Sequence, residues 1–282
     1  MTPRLIRAPA WGPVVLPGVA LLALAVAGAT LAGAPVPAWL LGAALAVLLA
    51  TAGLGVVLQS SGIFARPVIA VQTPRPELAL TFDDGPDPLS TPLILDALEA
   101  GGHRGTFFVI GERAARHPEL VAEIARRGHG LANHSFHHSY LTNLLAPARL
   151  ASELRQTSAL IERASGHVPR WFRPPVGLLS PRVAVGTRLA ELDLMAWTAS
   201  ARDGVPSRTV ESAVARLRPH LRPGAVLVLH DGAIKAGRAP IALEVLRSIL
   251  QQLQAAGLRS VSVDQLLAAE SVLRTPAPAR SP

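Results

Sequence analysis

Cysteine is absent from this sequence, which excludes disulfides and thiolate-held metals from any account of its fold. Lysine is nearly absent as well. Lys235 stands alone among 27 basic residues, so arginine carries almost all of the net charge of +8. Such a balance favours anionic partners. Aromatics, however, make up 4% of the chain, and no arginine cluster is interleaved with them, which removes the usual platform for nucleic acid. The last absence is local: residues 8–65 contain no charged side chain at all.

That uncharged stretch holds two apolar runs, 14–33 and 38–58, separated by the proline-containing turn APVP at 34–37. Each run is about 20 residues long, the length a helix needs to cross the hydrocarbon of a bilayer. Two buried core helices would read similarly. So would a cleaved signal peptide, with Arg4 and Arg7 ahead of it and an A-x-A pattern at 32–34, although Pro35 follows the cut and a second run comes directly after. The expectation is a transmembrane hairpin forming an anchor over 1–65. Arg4, Arg7, Arg66 and Arg75 flank it, which favours the cytoplasmic side for both ends; a single span would instead put the rest of the chain outside.

From residue 66 the composition becomes that of an ordinary globular domain, expected to extend to 273 and to be followed by a disordered tail at 274–282. Strand-like runs at 78–84, 105–111, 129–135, 171–177, 192–200, 225–231 and 258–263 alternate with helical patterns at 91–101, 115–127, 147–165, 207–219 and 238–256. Regular βα alternation predicts an α/β fold with a parallel sheet and outer helices. Seven strand candidates suggest a distorted (β/α) barrel one unit short of eight.

Barrels of this kind gather their chemistry where strands end. The first candidate strand ends in two adjacent aspartates, Asp83 and Asp84; NHSFHH (133–138) ends the third, FRPPVG (172–177) the fourth, and LHDG (229–232) the sixth. Asp, Gly and Pro also make ordinary turns, and a histidine cluster is often only a surface loop. Yet His134 and His138, four apart, joined by one aspartate at the same rim, make a His–His–Asp set with positions left open, the pattern of a catalytic metal site. Ligand types alone do not separate hydrolytic metal chemistry from that of an iron oxygenase. The second aspartate is then free to serve as a general base if a guanidinium holds it ionised, for which Arg173 is the candidate. His230, ending its own strand, suits a general acid near neutral pH.

Phe82-Asp83-Asp84-Gly85, His134-Ser135-Phe136-His137-His138, Arg173-Pro174-Pro175-Val176-Gly177, Asp203 and Leu227–His230 resemble, in order and spacing, the five motifs of the polysaccharide deacetylases, carbohydrate esterase family 4 with its NodB homology domain. The resemblance covers about residues 76–270. It implies a NodB-like distorted barrel that hydrolyses acetyl groups on sugars with one divalent metal ion, most often zinc, with cobalt, nickel or iron as alternatives. Carried over by position, Asp83 is the general base, Asp84, His134 and His138 hold the metal, and His230 is the general acid. Arg173 orients Asp83, Asp203 tunes His230 or Arg173, and the backbone N–H of Val176 binds the oxyanion. Asp231 reads as structural. Two departures remove groove aromatics: Val176 stands where the family usually has Tyr, and Gly204 follows Asp203 where Trp is common.

The expectation is therefore a metal-dependent hydrolase removing N-acetyl groups from amino sugars of a polysaccharide or peptidoglycan, held in a bacterial membrane, with a glycan as substrate, the bilayer as partner and no nucleic acid. A deacylase or deformylase of a lipid-linked sugar is the alternative within this chemistry. A catalytically silent carbohydrate-binding membrane protein is the alternative outside it.

Overall fold

The computed structural model describes residues 2–33, 36–232 and 241–268. The expected tail at 274–282, the last five residues of the expected domain and residues 34–35 of the expected turn lie outside these. The chain opens with β1 (Arg4–Arg7), followed by two long apolar helices, α1 (Gly12–Leu31) and α2 (Ala38–Val57). Next come β2 (Val68–Gln72), β3 (Glu77–Asp83), α3 (Thr91–Ala100), β4 (Gly105–Val109), α4 (Gly111–Arg116), α5 (Pro118–Arg126), β5 (Gly130–Asn133) and α6 (Pro147–Ser165). The remainder is β6 (Trp171–Phe172), α7 (Pro181–Leu189), β7 (Asp193–Leu194), β8 (Ala199–Ser200), α8 (Val210–Leu217), β9 (Val226–His230), α9 (Ala242–Ala255), β10 (Arg259–Ser260) and α10 (Val263–Leu267).

Seven of these strands form one curled sheet in the order β7-β6-β5-β4-β3-β9-β8, every pairing parallel, and β10 adds to the start of β3. The segment expected as one strand at 192–200 is two. Its first half, β7, pairs with β6; its second half, β8, pairs with β9 at the opposite edge. Four residues, 195–198, bridge the gap, so the same segment borders both edges of the half-barrel.

Side-chain alternation along β3 assigns its two faces. Leu78, Leu80 and Phe82 point outward into a core shared with Ile94 and Leu98 of α3 and with Ile249 and Leu253 of α9. Phe82 stacks on Phe107 at 4.9 Å. Burying each such side chain contributes about 1.5–3 kcal/mol. Ala79, Thr81 and Asp83 have the other parity and face the barrel interior, where Ala79 packs with Phe108, Trp171 and Val226. Asp83 is thus the inward-facing residue at the C-terminal end of a fully buried central strand.

Local signals account for most boundaries. Pro118 begins α5, and Gly128 (φ +77°) and Gly257 (φ +65°) follow helix ends in the left-handed conformation open to glycine. The helix expected at 115–127 is interrupted at His117, because the residue before a proline is disfavoured in helical conformation.

The hairpin helices pack on each other, and their exposed faces are leucine-rich, including Leu21, Leu24, Leu45 and Leu49. Among the described residues one helix, α2, is long and apolar enough to cross a membrane, while 15–31 of α1 count as a shorter apolar helix. The boundary at residue 65 is not a clean one. β1 pairs antiparallel with β2, and Ala8 is fully buried with its N–H bonded to Pro67 O. Two of the flanking arginines are engaged by the barrel, Arg7 with Asp193 and Arg75 with Glu77, and a third, Arg66, donates back to Ala8 O of the N-terminal segment.

Candidate active site

Every site residue expected from the sequence lies at the C-terminal rim of the sheet. β3 supplies Asp83 and, one residue on, Asp84. The loop after β5 supplies His134 and His138, the turn after β6 supplies Arg173 and Val176, the loop after β8 supplies Asp203, and β9 ends in His230.

The adjacent aspartates are separated by backbone conformation. Asp83 continues the strand, whereas Asp84 is left-handed (φ +75°), which turns its carboxylate out of the barrel interior toward the histidine loop. In that loop Asn133 Oδ1 accepts from Ser135 N (2.9 Å), and Ser135 Oγ accepts from His138 N (3.1 Å). Ser135 (φ +68°) and His138 (φ +51°) are left-handed too, as is Val176 (φ +48°) in the next rim turn. Non-glycine residues adopt this region at a cost of about 1–2 kcal/mol each, and such strain concentrates at functional loops.

Asp84 Oδ1 lies 3.3 Å from His134 Nε2 and 3.1 Å from His138 Nε2. His134 Nδ1 donates to Arg173 O at 2.7 Å, so the neutral ring turns its Nε2 lone pair toward the carboxylate. Asp84 Oδ1 is buried and has no hydrogen-bond partner. Two acceptors facing each other across a buried gap call for a cation, and the three donor atoms lie within 4.8 Å of one another. A backbone carbonyl orienting the far ring nitrogen is also the usual support of a metal-ligating histidine. The donor set therefore fits a divalent ion. Burial pushes the Asp84 carboxyl up, but positive charge at its face outweighs burial: close contact with His134 and His138 when their rings carry protons, with the charges of His134 and His230, holds the group well below the usual carboxylate range.

Two hydrogen-bonded pairs flank this cradle. Arg173, fully buried, donates from one guanidinium nitrogen to Asp83 Oδ1 (2.5 Å) and Thr81 Oγ1 (2.9 Å) and from another to Ala196 O (3.1 Å). Its guanidinium lies 3.9 Å above the centre of the Phe108 ring. Burial pushes the guanidinium below its ordinary value, while the Asp83 carboxylate opposes the change. In the second pair, Asp203 Oδ1 accepts from His230 Nδ1 (2.8 Å) and Oδ2 accepts from His230 N (3.0 Å), which leaves Nε2 as the outer ring nitrogen. Burial lowers the His230 imidazolium, but the hydrogen bond and charge of Asp203, with the charges of Asp83 and Asp84, raise it to about 9.

Thr81 went unrecognised in the sequence; its only signal is its position two residues before Asp83, on the same strand face. Asp231 is fully buried, accepts from Thr91 Oγ1 at 2.6 Å, and is pushed up to about 7 mainly by burial. A Cβ on Gly85 would lie 2.1 Å from its carboxylate, so Asp231 buttresses the Asp83-Asp84-Gly85 turn from behind.

Comparison with known proteins agrees with this geometry. Residues 70–195 match the family model described as polysaccharide deacetylase. The chain is 34% identical over 192 residues to a peptidoglycan-N-acetylglucosamine deacetylase of Bacillus cereus, covering 67% of this chain and 87% of that protein. It is 37% identical over 154 residues to a chitooligosaccharide deacetylase of a Bradyrhizobium species, covering 54% and 69% respectively. The solved structure of peptidoglycan deacetylase PdaC from Bacillus subtilis superposes with a TM-score of 0.60 at 29% identity, over 68% of this chain and 91% of that one. With its curled parallel sheet and the motif residues gathered at one rim, this chain belongs to the polysaccharide deacetylase family.

Proposed function

We propose that this protein is a metal-dependent hydrolase that removes N-acetyl groups from amino sugars of a glycan such as peptidoglycan or a chitooligosaccharide. The observation that carries the reading is the acceptor-lined cradle of Asp84, His134 and His138, flanked by an Asp–Arg pair and a His–Asp pair. A divalent ion held there, with zinc the best match to this nitrogen and oxygen donor set, supplies Lewis-acid polarisation of the acetyl carbonyl and lowers the proton affinity of nearby water.

The chain's own groups do the rest. Asp83, held in place by the Arg173 guanidinium, takes a proton from the attacking water. The N–H of Val176 makes no hydrogen bond among the described residues, and its left-handed turn leaves it free to donate to the oxygen that gains charge. His230 is held protonated by Asp203 and gives its proton to the departing sugar amine as the C–N bond breaks. The products are acetate and the free amino sugar. A silent carbohydrate-binding role would leave this complete set without a use, and oxygenase chemistry would leave both flanking pairs without one.

The α1–α2 hairpin is the membrane anchor in this reading. It is supported by the absence of charge over residues 8–65 and by the outward-facing leucines of both helices. A bacterial membrane is the expected location.

The test is acetate release by the full chain in detergent, on N-acetylated chitooligosaccharides and on peptidoglycan, after chelation and after zinc or cobalt is restored. The expected result is metal-dependent release, reduced in Asp83→Asn by about 100-fold or more. Failure of the chain to bind metal through Asp84, His134 and His138 would overturn the proposal.

A further inference from the structure

The hairpin leaves the barrel at its catalytic end. β1 climbs beside β2, with Arg4 opposite Gln72 and Arg7 opposite Val68. The Gln72 end of β2 adjoins the N-terminal side of β9, where Val71 N bonds Gly224 O, while Val68 bridges to Met195, which follows β7. On the return, α2 comes down onto the oxyanion turn, where Val56 O accepts from Leu179 N at 2.9 Å. Gln59 is buried against the same turn; a Cβ on Gly177 would lie 1.9 Å from its Nε2.

Beside this foot the rim is apolar. The 3-10 turns Tyr140–Leu144 and Pro175–Gly177 touch each other and present Tyr140 (67% exposed), Leu141 (63%), Leu144 (68%) and Val176 (51%). Neither 139–148 nor 174–181 contains a charged residue. Exposed arginines Arg149 and Arg182 immediately follow these two segments. The patch reaches the cradle itself, because the Tyr140 ring lies 6.4 Å from that of His138. Arg149 pairs with Glu153 and Arg182 donates to Leu144 O, so the patch has an apolar centre with a thin basic edge, and apolar side chains of this kind are stabilised by entering the headgroup layer of a bilayer.

We propose that this apron is a second membrane contact, which brings the catalytic rim down onto the bilayer, so that the amino sugar reaching the cradle is one displayed at the lipid surface. The inference rests on the reading of α1–α2 as a membrane anchor. It also gives the missing groove aromatics a reason, since a rim lying on lipid has less need of side chains that stack a long polymer.

The absence of cysteine makes the test direct. Single variants Leu141→Cys and Leu144→Cys of the full chain are labelled with an environment-sensitive fluorophore and reconstituted in phosphatidylethanolamine–phosphatidylglycerol vesicles containing nitroxide-labelled lipid. Leu45→Cys reports on the anchor, and Gln254→Cys, exposed at the far end of α9, reports on the opposite end of the barrel. Activity on soluble chitooligosaccharide checks that each variant is folded. The expected result is quenching at Leu141→Cys and Leu144→Cys several-fold stronger than at Gln254→Cys. Quenching at Leu45→Cys with none at the two rim positions overturns the inference and leaves the anchor standing. No quenching at Leu45→Cys overturns both.

Discussion

Replacing Arg173 by methionine strands the Asp83 carboxylate in a site where that residue is 4% exposed. Breaking a buried ion pair from one side costs about 3–5 kcal/mol, because the remaining charge stays desolvated. The carboxylate has an escape, which is to take up a proton. At pH 7 that costs about 4 kcal/mol, roughly 1.4 for each of the three pH units above an ordinary aspartate value near 3.9. Protonation therefore caps this part of the loss. Below the cap, the variant's folded state binds a proton that the unfolded state does not, so its stability falls as pH rises. The deficit should shrink by about 1.4 kcal/mol per unit as the pH is lowered from 7 and vanish near pH 4. A pH-independent loss of about 1–2 kcal/mol remains, because Thr81 Oγ1 and Ala196 O lose their donor. The assay is denaturant unfolding of the metal-free chain, with wild type, Arg173→Met, Asp83→Asn and the double variant compared between pH 4 and 8. The double variant should recover the pH-dependent part of the loss and none of the activity. A deficit that stays flat across that range, or one that Asp83→Asn does not relieve, would refute the reasoning.

Three further outcomes follow from the same geometry. Asp203→Asn removes the partner that holds the His230 proton up to about 9, so the alkaline limb of kcat/KM should move down by about 1–3 pH units; an unmoved limb would separate His230 from the proton transfer. His129 accepts from Gly105 N and is lowered to about 4, chiefly by burial and then by Arg104 and Arg127. Because the unfolded chain binds that proton first, stability should be lost as pH falls from about 6.5 toward 4, and His129→Gln should flatten this part of a pH-resolved unfolding series. Val176→Gly relieves a β-branched side chain held at φ +48°, gaining about 1–2 kcal/mol of strain against about 0.5–1 lost to glycine's freedom, so thermal unfolding should stay level or rise slightly. A clear fall would show that the turn is held by contacts of the Val176 side chain.

Local pattern carried much of this protein. The period-2 run ending at Asp83 and the four-residue repeat of α9 are properties of short windows, and short windows dominate where a strand or helix is long. Short elements escaped. β1 and β2 read as flanks of the apolar runs, because their pairing joins residues more than 60 apart. α7 and α10 have their signals in plain view, with Ser180 capping before Pro181 and a reciprocal Ser262–Gln265 capping box, but each helix is too short for periodicity to stand out.

The sequence by itself determined the α/β alternation, the apolar hairpin and the identity of the groups that meet at the rim, because these follow from composition, periodicity and the rule that strand ends collect chemistry. Tertiary structure alone decided how those groups face one another. It turned Asp84 left-handed so that two neighbouring carboxylates face different partners, Asp83 the Arg173 guanidinium and Asp84 the two histidines, and it split 192–200 between opposite edges of the sheet. It also set the foot of α2 against the turn at Pro175–Gly177. Each of these depends on contacts between residues far apart in the chain, and no local pattern encodes which distant surface a segment will meet.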